Sequence, residues 1–221
     1  MKPKKKKNFV IIGLGRFGGT VAQALAKMGD DILGIDTDER LARQFANEIS
    51  HVVIADAKDK IALQEAGVKN YDVAVIAIGD DLEANILATM NVKYLGVDTI
   101  WVKAQSDTHQ RILSRLGVDR IIHPERDMGL QIAEALHTSY AFDYINLGNR
   151  RYLVSYVIRA EVKEVTLSKL TKYEGKDFSI VGLMREKDFI AFKDMSVDLQ
   201  EGDRLLIIGS KDELNKLSEL F

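Results

Sequence analysis

The chain has 221 residues, 46% hydrophobic and 29% charged, with 16 Gly, 2 Pro, no Cys and a formal net charge of −2. That is enough apolar chain to bury one or two cores and too much for general disorder. Without cysteine there is no disulfide framework, thiolate nucleophile, zinc-thiolate cluster or iron–sulfur site.

No run reaches 18 uncharged apolar residues, and the N-terminus lacks the apolar stretch and cleavage site of a leader, so a soluble protein of a reducing cytoplasm is expected. Lysine fills five of the first seven positions, and removing those charges takes the net from −2 to −7. A basic tail over residues 1–7 on an acidic body suits duplex DNA poorly. The tail reads as a solvated end, and no nucleic-acid partner is expected.

From Asn8, short apolar runs alternate with amphipathic stretches. Strands are predicted at Phe9–Ile12, Ile32–Ile35, His51–Ile54, Val73–Ile78, Thr99–Val102 and Arg120–Ile122, each nearly all apolar, as a strand covered on both faces must be. Helices are predicted between them at Phe17–Met28, Glu39–Ile49, Lys60–Ala66, Leu82–Leu95 and Thr108–Leu116. Gly29, Gly67, Gly96 and Gly117 stand where a left-handed helix stop wants glycine. Strict alternation of six strands and five helices predicts an α/β domain over residues 8–124, a Rossmann-like doubly wound parallel sheet.

The pattern changes after Pro124. Residues 125–141 read as a linker helix, amphipathic from Glu125 to Tyr140, and residues 142–221 as a small α+β C-terminal domain. Its strands are expected at Phe142–Tyr144, Tyr152–Ile158, Phe178–Leu183, Phe189–Phe192 and Leu205–Ile208, with a short helix near Leu167–Lys172 and a last one at Asp212–Leu220.

The chemistry concentrates in Gly13-Leu14-Gly15-Arg16-Phe17-Gly18, a G-x-G-x-x-G between the first strand and the first helix. The first glycine permits the tight turn, the second lets a phosphate approach the backbone, and the third lets helix and strand pack closely. The helix N-terminus then holds the anion. Asp36, ending the second strand and followed by Thr37 and Asp38, places a carboxylate where it can accept both hydroxyls of an adenosine ribose and disfavours a 2′-phosphate. Asp56 and Ala57, then Ile78, Gly79 and Asp80, then Lys103, Ala104 and Gln105, end strands three, four and five on the rim where open α/β sheets bind ligands. Asp80 and Asp107 also suit helix caps.

Arg16 adds a cationic fork that suits a polyphosphate better than a nicotinamide. His109 opens a helix near the same rim. Glu125 either ligates a divalent cation or sits in the first turn of its helix. An NAD-dependent oxidoreductase shares the glycine loop, but it needs a substrate domain and a proton-transfer group. All four histidines (His51, His109, His123 and His137) precede the small domain and lack metal-ligand spacing.

The glycine loop with Arg16 and Phe17 inside it, Ile35-Asp36, Ala55-Asp56-Ala57, Pro124-Glu125 and the small domain ending in Glu201-Gly202-Asp203-Arg204-Leu205 together resemble the RCK (KTN) potassium-transport regulators. The resemblance covers essentially the whole chain. It implies a nucleotide-gated, non-enzymatic subunit forming an octameric homo-oligomeric ring on the cytoplasmic face of the cell membrane, docked on a potassium-translocating integral membrane subunit. ATP is expected to activate and ADP to inactivate. By the same resemblance Arg16 reaches the γ-phosphate across a subunit interface, Asp36 holds the ribose and Glu125 helps bind a cation near the phosphates. It further implies cyclic di-AMP in a cleft between two small domains, around Val165–Leu170 and Ile180-Val181. There Tyr173-Glu174-Gly175-Lys176-Asp177 departs from the more basic pattern of such a site.

Overall fold

The computed structural model describes residues 7–137, 141–159, 177–192 and 197–218. The chain divides into two units, one ending at Pro124 and one beginning at Glu125. In the first, β1 (Asn8–Ile12), β2 (Asp31–Asp36), β3 (His51–Ile54), β4 (Val73–Ile76), β5 (Thr99–Lys103) and β6 (Arg120–Ile122) form one sheet in the order β3-β2-β1-β4-β5-β6, every pairing parallel. Helices α1 (Arg16–Lys27), α2 (Glu39–Phe45), α3 (Lys60–Glu65), α4 (Leu82–Tyr94) and α5 (Asp107–Leu116) make the crossovers. This is the doubly wound order, and its strand order reverses between β1 and β4, which opens a crevice beyond their carboxyl ends.

Both faces of the central strands are buried. Val10, Ile12, Leu33, Ile35, Ala74 and Ile76 pack with Leu63, Ala88 and Val92 in one cluster. The alternate residues Ile11, Ile32 and Val75 pack with Ala22, Phe45 and Ile49 in another. Successive side chains point to opposite faces, so burying both makes the central strands apolar runs, whereas the edge strands β3 and β6, expected to be covered alike, contain no buried residue.

Side chains of Asp38, Asp59, Asp81 and Ser106 accept N–H groups at the starts of α2, α3, α4 and α5. The caps of α4 and α5 thus belong to the neighbours of Asp80 and Asp107, the residues the sequence suggested. Gly29, Gly67, Gly96 and Gly117 all have positive φ, between 67° and 89°. Helix α2 stops at Phe45, four residues short of the expected Ile49. The N–H groups of Glu48 and Ile49 both bond to the Phe45 carbonyl, a turn that puts Ile49 into the core instead of along a helix.

In the second unit α6 (Pro124–His137) precedes an antiparallel sheet of β7 (Ala141–Gly148), β8 (Arg151–Val157), β9 (Phe178–Arg185), β10 (Asp188–Ala191) and β11 (Arg204–Gly209), ordered β10-β9-β11-β8-β7. Helix α7 (Lys211–Ser218) covers it, and Tyr156 Oη on β8 donates 2.7 Å to the Leu214 carbonyl. Burial raises the Tyr156 phenol far above its ordinary value, which keeps it a donor. The helix expected near Leu167–Lys172 and the segments Val165–Leu170 and Tyr173–Lys176 lie outside the described residues. Among the described residues, no helix is long and apolar enough to cross a membrane.

Candidate functional site

A cleft of 480 Å³ opens at the carboxyl ends of β1 to β4. That volume is within the range of small-molecule sites. It brings together Gly13, Gly15, Asp36, Thr37, Asp56, Ala57, Ile78, Gly79 and Asp80 of the predicted residues, and adds Lys58, Asp81 and Ala84.

The glycine loop meets the steric demands read from its spacing. Gly13 has φ +93°, and its N–H donates 2.8 Å to the Ile35 carbonyl, closing the loop over β2. A Cβ at Gly18 would strike the Gly13 carbonyl oxygen and come within 2.9 Å of the Ala77 Cβ. Around Gly15 nothing of the protein lies within 4 Å of such an atom, so the protein itself does not exclude a side chain there. Gly19, which the hexapeptide does not include, is held for packing: its Cβ would run into the Phe45 ring.

Asp36 ties the loop to β2. One carboxylate oxygen accepts from Leu14 N at 2.6 Å and the other from Asp38 N at 2.8 Å. A carboxylate has about four acceptor sites, so both oxygens retain capacity for ribose hydroxyls. Asp38 caps α2, and the Arg40 guanidinium 2.8 Å away holds its carboxyl below the usual range.

The other rims are held from α4 and α5. After β3, Asp56 Oδ1 accepts from Lys58 N at 2.9 Å, and the Asn91 amide on α4 donates to the carbonyls of Ala57 (3.0 Å) and Lys58 (2.9 Å). Buried Asn85 donates to the carbonyls of Ile78 (2.8 Å) and Lys103 (3.1 Å), pinning the ends of β4 and β5. Val73–Ile76 is therefore the whole of β4, while Ala77 and Ile78, expected in the strand, turn out to line the cleft. Gln105 donates from its side chain to the Gly79 carbonyl, and its own N–H bonds to His109 Nδ1 at 3.3 Å. His109 is wholly buried, and that burial, aided by His123, lowers its pKa.

Several predicted residues stand outside the lining. Arg16 is exposed at the head of α1, Phe17 is half-buried beside it, and Gly18 is buried against β1. Lys103 and Gln105 act from behind, through Asn85 and Gly79, with His109 behind Gln105, while Ala104 is buried with its N–H on the Ile122 carbonyl. Glu125 falls in the second unit, in the first turn of α6. Among the described residues, no three His, Asp or Glu side chains form a group that could hold a metal ion.

The arrangement can therefore bind an anion at the start of α1 beside a diol-recognising carboxylate. Its lining holds Asp36, Asp56, Asp80 and Asp81 against one cation, Lys58. A polyphosphate there has to bring or recruit further positive charge.

Comparison with known proteins agrees with this geometry. The TrkA-N domain matches residues 9–124 and the TrkA-C domain residues 155–221. The chain is 37% identical over 214 residues to Ktr system potassium uptake protein C of Bacillus subtilis (strain 168), covering 97% of each. Among solved structures, the GsuK channel bound to NAD is similar with a TM-score of 0.64 at 15% identity, over 100% of this chain and 40% of that one. GsuK bound to ADP gives a TM-score of 0.51 at 24% identity, over 59% and 33%. At such identities the structural likeness establishes the fold.

Proposed function

The chain belongs to the TrkA family, the RCK (KTN) potassium-transport regulators, which are regulatory proteins and not enzymes. From that premise we propose that it is the cytosolic, nucleotide-gated subunit of a potassium uptake system, active with ATP and inactive with ADP. The observation that carries this reading is Asp36 joined to the glycine loop at the mouth of the cleft, a diol acceptor beside a helix N-terminus.

Gating needs a ligand that binds two assembly shapes unequally, since equal affinity shifts nothing. Arg16 supplies the discriminating charge: exposed at the head of α1, it reaches the terminal phosphate of a nucleotide bound in a neighbouring subunit. Exposed Met128, Leu130, Ile132 and Leu136 on α6 support self-association, here as an octameric ring on an integral membrane subunit of the Ktr B/D type. A divalent cation, shared between phosphate oxygens and Glu125, offsets the acidic lining. Cyclic di-AMP binds the second unit. An NAD(H) ligand is the alternative favoured by the nicotinamide-bound channel of similar fold.

Calorimetric titration with ATP, ADP, NADH and cyclic di-AMP, with and without magnesium, tests this on the intact chain and on Asp36→Ala. ATP and ADP binding lost in the variant, with cyclic di-AMP binding kept, is the expected result. Preferential NADH binding without a response to ATP overturns it.

A further inference from the structure

We propose that Asn91, in the third turn of α4 and bonded to the backbone carbonyls of Ala57 and Lys58 in the cleft's lining, is the residue that sets the base specificity of the site. The inference rests on the nucleotide reading above and deepens it.

The strand order fixes where the base lies. The phosphates sit at the glycine loop after β1 and the ribose at Asp36 after β2, so the next rim outward is the loop after β3. That loop presents Asp56, Ala57 and Lys58 to the cleft. Its polar side chains are internally engaged: Asp56 accepts from Lys58 N at 2.9 Å, and its other oxygen lies 3.7 Å from Lys58 Nζ.

A carboxylate on this rim does not by itself choose a base. It can accept from the exocyclic amine of adenine, and equally from the ring N–H and amine of guanine, which lie on a different part of the edge. Selection therefore depends on where the carboxylate is held, and a site rejects the wrong base when its own polar groups are left unpaired.

The loop that carries it is held by Asn91. Both protons of one amide nitrogen go to consecutive carbonyls of the loop, Ala57 at 3.0 Å and Lys58 at 2.9 Å. Six residues earlier on the same helix, Asn85 grips the ends of β4 and β5. The helix is continuous between them, so the base-side rim and the opposite rim are set from a single rigid element. A residue acting by position in this way should govern which base is accepted without touching recognition of the terminal phosphate, which is Arg16's task.

The test measures binding of ATP, ADP and GTP to the full-length protein and to Asn91→Leu, which keeps the volume and removes both donors, with Asn91→Gln as a conservative rescue. The expected result is a preference for ATP over GTP reduced by about tenfold in Asn91→Leu. The ATP-to-ADP ratio should stay unchanged, and Gln should restore part of the base preference. An equal weakening of all three nucleotides, or an unchanged ATP-to-GTP ratio, overturns the assignment and leaves the nucleotide site standing. An unchanged protein that binds no adenine nucleotide overturns both.

Discussion

At the scale of single residues, the two inner glycines of the loop serve different ends, and substitution separates them. Gly18 is excluded from carrying a side chain by the protein itself, since its Cβ would strike the Gly13 carbonyl. Gly18→Ala is expected to lower stability by about 1–3 kcal/mol, read from denaturant midpoints. Gly15 has open space and φ −62°, so Gly15→Ala should leave those midpoints unchanged and weaken ATP binding, because the added methyl stands where the phosphate comes. Binding untouched in Gly15→Ala would remove the loop from phosphate contact. His109 makes a second residue-scale case. Burial favours its neutral form, and its Nδ1 must be unprotonated to accept from Gln105 N. Its folded pKa thus lies below the ordinary 6.5. Above that value both states are neutral and its contribution is complete. As pH falls below it the unfolded chain takes up a proton that the folded chain refuses, and stability drains away until the pH passes the folded value. Urea midpoints should therefore fall more steeply between about pH 7.5 and about pH 5.5 in the unchanged protein than in His109→Gln, which cannot titrate. Parallel slopes would show that folding leaves the His109 pKa unshifted.

At the scale of elements, the central strands and the helices of the first unit were legible because burial on both sheet faces writes itself as apolar runs, and because glycine marks the helix stops. The cleft was legible where a mechanism joins residue type to spacing, as in Gly13 to Gly18 followed by Asp36. Asn85, Asn91 and Lys58 were not. A mid-helix asparagine carries no signal until the carbonyls it meets are known, although an Asn on the buried face of α4, where its intrinsic propensity is poor, was the one available hint. In the second unit the Gly202-Asp203 turn leads into β11, and its grip on β9 carried no sequence signal. Asp203, 1% exposed, receives both Arg185 Nε (2.9 Å) and an Arg185 terminal nitrogen (2.8 Å), as well as Gln200 N (2.8 Å). The Arg185 guanidinium holds its carboxyl below the usual value, so this tie is complete above about pH 4 and is lost as pH falls through the folded pKa. Asp203→Ala should cost about 2 kcal/mol near neutral pH, measured by urea unfolding, and the difference from the unchanged protein should shrink in acid. A cost that persists unchanged in acid would assign it to lost packing.

At the scale of the whole molecule, a chain built from two units with separate cores can receive two ligands as separate signals. A ligand that binds only the folded form stabilises it by about 2.7 kcal/mol at a hundred times its Kd, and the protection falls first on the segments it touches. ATP should therefore slow amide exchange at the glycine loop, at Thr37 and Asp38, and at Asp56–Lys58, all on the rim of the first sheet. Cyclic di-AMP should slow exchange within β7–β11 instead. Reciprocity adds a stricter demand. If the two sites are coupled through a shared assembly, each ligand must change the other's affinity by the same factor, typically 5–150-fold or about 1–3 kcal/mol. Hydrogen exchange with each ligand alone, followed by titration of each in the presence of the other, checks both statements. Protection by ATP spread evenly over both units would deny the separation of sites. Unequal mutual factors would show that a third component, such as a change in oligomer size, is linked to one of the two binding steps.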